Sequence, residues 1–122
     1  MTDPVRILLV DDDPDMCSSL ADVLSFETGY EVKYTTQPVS ALGMIDKETF
    51  SLMIIDYKMP EMNGLELITR IKKRIPGQKI FMLTAFISGE LINKAKKAGA
   101  DEVLSKFIWP EDIIKLVKKT VP

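Results

Sequence analysis

Short apolar runs alternate along the chain with segments whose apolar residues recur at helical spacing, and turn residues separate the two kinds. Arg6–Val10 is short and aliphatic and stops at Asp11-Asp12-Asp13, which predicts a buried strand. Asp13-Pro14 offers an N-cap followed by proline at the first helical position. Met16, Leu20, Val23 and Leu24 carry a helical stripe to about Glu27, closed by Gly29. A second strand over Glu31–Thr35 precedes a helix opened by Pro38, with Ala41, Leu42 and Ile45 on one side. Leu52–Ile55 predicts a third strand that delivers Asp56 at its end. After the loop Tyr57–Asn63, a helix runs through Leu65, Leu67, Ile68 and Ile71 and stops at Pro76-Gly77. Lys79–Leu83 reads as a fourth strand ending at Thr84, and Ser88 caps a helix to Ala98, closed by Gly99. Val103-Leu104 is a short fifth strand ending near Lys106, and Pro110 begins a last helix with Ile113, Ile114 and Val117 inward.

Strand–helix units with nearly unbroken apolar strands predict a parallel sheet covered on both faces. Right-handed crossovers make a doubly wound, three-layer α/β sandwich the simplest topology. No repeat, low-complexity tract or linker divides the chain, so residues 1–122 are expected to form one domain. In such a sheet the functional crevice lies beyond the carboxyl ends of the strands. Strand ends alone therefore bring Asp11, Asp12, Asp56, Thr84 and Lys106 to one edge.

Composition narrows the chemistry. Hydrophobic residues make up 46% of the 122, enough for a core, while the longest aliphatic runs are far too short to cross a bilayer. Met1-Thr2-Asp3-Pro4 lacks the profile of a secretion signal. A single cysteine, Cys17, excludes an internal disulfide, suits a reducing cytosol, and reads as a small buried apolar residue. Histidine is absent, which removes a Ser-His-Asp triad, His-ligated zinc and a phosphohistidine on this chain. Residues 1–61 hold 12 acids against 4 bases and residues 62–122 hold 6 against 12. The basic clusters fall in helical segments, where solvated faces and helix C-termini account for them. A net charge of −2 without aromatics between the bases does not fit a nucleic-acid surface.

Carboxylates gathered at one edge repel each other and need a cation or a proton to coexist. With oxygen ligands only, the cation is Mg²⁺, Mn²⁺ or Ca²⁺. A hydroxyl and an ammonium opposite suit the remaining oxygens of a phosphoryl group, so the set points to metal-assisted phosphoryl transfer to a carboxylate. Taken singly, each residue has a plainer reading as turn former, cap or solvated charge, and for Asp13 the helix cap is preferred.

Ile7-Leu8-Leu9-Val10-Asp11-Asp12-Asp13, Ile54-Ile55-Asp56-Tyr57-Lys58-Met59-Pro60-Glu61-Met62-Asn63-Gly64-Leu65-Glu66, Leu83-Thr84-Ala85 and Ala98-Gly99-Ala100-Asp101 with Lys106 resemble the receiver domain of two-component response regulators. The resemblance spans essentially the whole chain and implies a flavodoxin-like sheet of five parallel strands in order 2-1-3-4-5, flanked by five helices. It implies that Asp56 accepts a phosphoryl group from a histidine kinase or phosphotransfer protein. Asp12 and Asp56 then ligate Mg²⁺ directly (Mn²⁺ as a substitute), Asp11 acts through water, and the backbone carbonyl of Lys58 completes the protein ligands. Thr84 donates its hydroxyl to the phosphoryl group, Lys106 pairs with it, and Ala85 leaves space for it. A surface over residues of about 86–120 is expected to carry the signal to an output domain or downstream protein, with a homodimer left open. No membrane or direct nucleic-acid contact is implied, and the compartment is the cytoplasm.

Two positions depart from the family pattern. Phe107 follows the lysine where proline is usual, which predicts a trans peptide and an altered approach of Lys106. Val103 stands where an aromatic switch residue is common, leaving Phe86, Phe107 or Trp109 as substitutes. Lys58 and Phe86, two residues beyond Asp56 and Thr84, are expected to modulate phosphate lifetime, Phe86 by shielding the acyl phosphate from water. The competing readings are a pseudo-receiver that serves only as an interaction module and an aspartate-nucleophile phosphohydrolase. The second lacks an acid two residues beyond Asp56, where Lys58 stands. The chain is thus read as a phosphoacceptor rather than a multiple-turnover enzyme.

Overall fold

The computed structural model describes residues 4–122, so the reading of Met1, Thr2 and Asp3 lies outside the described residues. Strands and helices alternate as β1 (Arg6–Val10), α1 (Pro14–Thr28), β2 (Glu31–Thr35), α2 (Pro38–Lys47), β3 (Leu52–Asp56), α3 (Gly64–Arg74), β4 (Ile80–Thr84), α4 (Gly89–Ala98), β5 (Glu102–Ser105) and α5 (Pro110–Thr120). The strands pair in parallel in the order β2-β1-β3-β4-β5, as the resemblance implied. β3 and β4 are buried along their whole length, which is why they read as unbroken apolar runs.

Two cores separate the layers. On one face Leu8, Val10, Met53, Ile55, Ile80 and Met82 meet α2, α3 and α4. On the other, Ile7, Leu9, Leu52, Ile54, Phe81 and Leu83 meet α1 and α5. This alternation along each strand is the period-two side-chain direction of a sheet sandwiched between helices. Met53, Met59, Met62 and Met82 are buried, their flexible thioethers filling the core.

The helix caps follow the sequence signals. Asp13 accepts from the backbone N–H groups of Asp15 (3.0 Å) and Met16 (3.3 Å), Asn63 caps α3 through Glu66 N–H, and Ser88 caps α4 through Leu91 N–H. Gly29 closes α1 with φ of 72°, a left-handed conformation that favours glycine. Three details differ from the sequence reading. The side of α1 pressed on the sheet is Cys17, Ala21 and Leu24, whereas Met16, Leu20 and Val23 are only half-buried and turn toward α5. β4 begins at Ile80 rather than Lys79, and β5 extends over Glu102–Ser105. No described helix is long and apolar enough to cross a membrane.

Candidate functional site

β1 ends at Val10 and passes straight into Asp11, which is 5% exposed and fixed by its surroundings. Its Oδ1 accepts from Asp13 N–H (3.0 Å), and its backbone carbonyl accepts from the Cys17 thiol (3.3 Å). Burial first, and then the Asp11 charge, push that thiol up to about 11, so Cys17 remains a donor at neutral pH. The sequence reading of Cys17 as a buried apolar residue is correct for its burial but missed this bond. Its signal was positional, since the fourth residue after a cap returns beneath the strand end.

Asp56, the last residue of β3, is 3% exposed. Its loop is held by three backbone bonds, from Tyr57 N–H to Leu83 (2.9 Å), Gly64 N–H to Tyr57 (2.7 Å) and Met62 N–H to Pro60 (2.7 Å). Gly64 lies so close beneath that a Cβ there would sit 2.5 Å from the Asp56 carbonyl oxygen and 2.9 Å from the Tyr57 Cα. Buried Met59 and Met62 anchor the loop in the core, and Glu61 completes it with a φ of 69°.

Lys106, one residue beyond β5, closes the site. Its N–H donates to the Thr84 carbonyl (2.9 Å), continuing the ladder, and its Nζ lies 3.1 Å from both Asp11 Oδ2 and Asp56 Oδ2. The described peptide bonds are all trans, Lys106–Phe107 included, and the ammonium reaches both acids despite the missing proline. Burial disfavours the Lys106 charge, but the bonds and charges of Asp11 and Asp56 outweigh it and hold the ammonium above its usual pKa. Burial and then the Asp11 carboxylate push the Asp56 carboxyl up to about 6, with Lys106 acting against that shift.

Asp12 is exposed at the rim. One carboxylate oxygen from each of Asp11, Asp12 and Asp56 lies within 4.8 Å of the others. Oxygens bound to a small divalent ion at roughly 2.1 Å stand about 3–4 Å apart, so a slight closing of this triangle suits one. A further observation agrees: the buried Asp11 Oδ2 faces the Lys106 ammonium at 3.1 Å and has no other polar partner among the described residues, so it keeps acceptor capacity for a cation. The donor set fits a hard cation.

Thr84 is buried at the same edge, but its hydroxyl is turned to its own loop. It accepts from Phe86 N–H (3.1 Å) and donates to the Phe86 carbonyl (3.2 Å). Ala85 and Lys58 are exposed, and so is Phe86, at 87%. The structure thus gathers Asp11, Asp12, Asp56 and Lys106 into one cluster, with Thr84 beside it, and leaves the Lys58 and Phe86 side chains in solvent. Val103 is half-buried against the core on the α4 side.

A family model described as the response regulator receiver domain matches residues 7–118. Among similar proteins, the response regulator receiver protein CpdR of Brucella abortus is 35% identical, covering 93% of this chain and 94% of its own length. Sporulation initiation phosphotransferase F of Bacillus subtilis is 32% identical, over 96% of this chain and 94% of that protein. A CheY-like receiver domain protein of Methanospirillum hungatei superposes with a TM-score of 0.90 at 37% identity, covering 96% of this chain and 93% of that one. Chemotaxis protein CheY4 of Vibrio cholerae does so at 0.91 and 28% identity, covering 98% and 100%. With the sheet order and the clustered acids already in view, the chain belongs to the receiver domain family of two-component response regulators.

Proposed function

We propose that residues 1–122 act as one receiver domain whose Asp56 takes a phosphoryl group from a phosphohistidine on a histidine kinase or phosphotransfer protein. An Asp56 carboxylate oxygen bonds to phosphorus while the bond from phosphorus to the imidazole nitrogen breaks, the imidazole leaving with that electron pair. The product is an acyl phosphate. Asp11, Asp12 and Asp56, with the Lys58 backbone carbonyl, would hold Mg²⁺ or Mn²⁺, which when bound offsets charge on the phosphoryl oxygens. Lys106 supplies the opposing positive charge, and Thr84 donates its hydroxyl to the phosphoryl group instead of to the Phe86 carbonyl. Ala85 leaves that approach open. The domain promotes its own phosphorylation and dephosphorylation and does not turn over a separate substrate.

New negative charge at the sheet edge moves the loops after β4 and β5. The surface of residues of about 86–120 then engages an output domain, a downstream protein or a second copy of the chain in the cytoplasm, without direct contact with nucleic acid or membrane. Lys58 and Phe86 set the lifetime of the acyl phosphate. Since the Phe86 ring is exposed, shielding by it requires an inward movement.

The observation that carries this reading is the Lys106 ammonium 3.1 Å from both Asp11 Oδ2 and Asp56 Oδ2, at the edge where carboxylate oxygens of Asp11, Asp12 and Asp56 lie within 4.8 Å of one another. Incubation with acetyl phosphate and Mg²⁺ is expected to place one hydroxylamine-sensitive phosphoryl group on the wild type and none on Asp56→Asn. Equal labelling of both proteins, or of neither, would reject Asp56 as acceptor and favour the interaction-module reading.

A further inference from the structure

Among the described residues the buried polar side chains are Asp11, Asp56, Thr84 and Gln78. The first three lie at the candidate site, whereas Gln78 lies at the opposite edge of the sheet, two residues before β4. Its amide Nε2 donates to the Phe50 carbonyl (3.0 Å) and to the Lys79 carbonyl (3.2 Å), which uses both of its donors. Two carbonyl partners fix the orientation of the amide, so the other terminal atom is the oxygen. That Oε1 accepts from no described residue and is not sealed in the core. The ties to Phe50 and Lys79 account for the donors of this buried residue and leave its acceptor unused. Gln78 lines a groove of about 580 Å³, within the roughly 300–1,000 Å³ usual for ligand sites. Ile45, Phe50, Ile75 and Val121 give that groove apolar walls.

We propose that this groove binds a small neutral molecule with an apolar body and one N–H donor, which the Gln78 Oε1 accepts. A neutral ligand fits because the charges at the rim already have partners. Glu48 pairs with Lys33 (2.6 Å), and the Lys79 ammonium donates to the Thr120 carbonyl (2.8 Å). Apolar walls reward burial of a ring or branched chain, and one waiting acceptor sets its orientation. The walls are held in place before any ligand arrives. Val121 is buried, and its carbonyl accepts from the Tyr30 hydroxyl (2.7 Å), which fixes the end of α5 beside the starts of β3 and β4. Strands of five residues, at about 3.3 Å each, separate the groove from Asp56 and Thr84. Binding here is therefore independent of the phosphoacceptor reading.

Indole and benzofuran, matched in size and shape, test this on the full chain, because indole carries an N–H and benzofuran does not. Amide NMR shifts are followed as each probe is titrated into isotope-labelled protein. Saturable shifts at Gly77, Val121 and Gln78, its side-chain amide included, are expected with indole. An apparent Kd about three- to tenfold larger is expected with benzofuran. Gln78→Met should erase that difference by raising the indole constant. Thr49→Trp, at an exposed position on the rim, should fill the groove and weaken both probes. This second variant leaves Gln78 untouched, so the test survives a Gln78→Met chain that fails to fold. Equal constants for the two probes on the wild type, or indole shifts confined to other surfaces, overturn the proposal. Shifts at the groove that grow with protein concentration in the absence of probe also overturn it, by making this edge an interface between copies of the chain.

Discussion

The Asp56 carboxyl sits in a place that penalises its charge, and the penalty has a pH signature. Burial and Asp11 push it up to about 6 from an ordinary value of 3.8. Below about pH 4 folded and unfolded chains both hold the proton; between about 4 and 6 only the folded chain does. Stability conferred by this group is therefore present at low pH, falls as pH rises through that window, and levels off above it. The loss is on the order of 1–3 kcal/mol. Asp56→Asn in chelator should accordingly melt above the wild type at pH 7 and lose that part of the slope. Thermal melts from pH 4 to 8 check this, and an Asn variant melting lower would contradict it. Residue identity at the site was legible because each acid, hydroxyl or amine lies at or just past a strand end. The two bonds between the Thr84 hydroxyl and Phe86 were not, because they depend on a loop conformation that no spacing rule encodes.

At the scale of elements, the β3–α3 connection is the most constrained. Gly64→Ala would drive a Cβ into the Asp56 carbonyl, with backbone rather than a flexible side chain in its way. A loss of about 1–3 kcal/mol is expected. Phosphorylation should fall even at temperatures where the variant is fully folded, since the displaced atom belongs to Asp56, the proposed acceptor; an unimpaired labelling rate would argue against this coupling. Glu61, by contrast, holds a left-handed backbone without need of its side chain there. Glu61→Gly should be neutral to stabilising by up to about 1 kcal/mol in denaturant titration. The elements themselves were legible almost to the residue, because Pro, Gly, Asp and Ser mark their ends. Which residues of α1 face the sheet was not. The apolar stripe Met16, Leu20, Val23 is also apolar on its α5 side, and only packing decides that Cys17 and Ala21 take the inner positions.

For the whole molecule, sheet order converts a pattern along the chain into one in space. The acid-rich half supplies β2, β1 and β3, and the base-rich half supplies β4 and β5, so Lys106 reaches the acids across the border between them. A divalent ion binding the folded cluster alone would raise stability by about 1.4 kcal/mol at tenfold its Kd. MgCl₂ should therefore raise the melting temperature beyond what NaCl does at matched ionic strength, and Asp12→Asn should reduce that excess. An identical response to both salts would deny the cluster a specific ion.

The order in which the strands enter the sheet bears on synthesis. A ribosome delivers Asp11 first and Lys106 last, since the lysine follows the final strand. A nascent chain lacking that strand presents acids without their counter-charge. Competence to receive a signal would thus arrive only with the finished molecule, and truncated or half-made copies would stay silent rather than divert phosphate from a kinase.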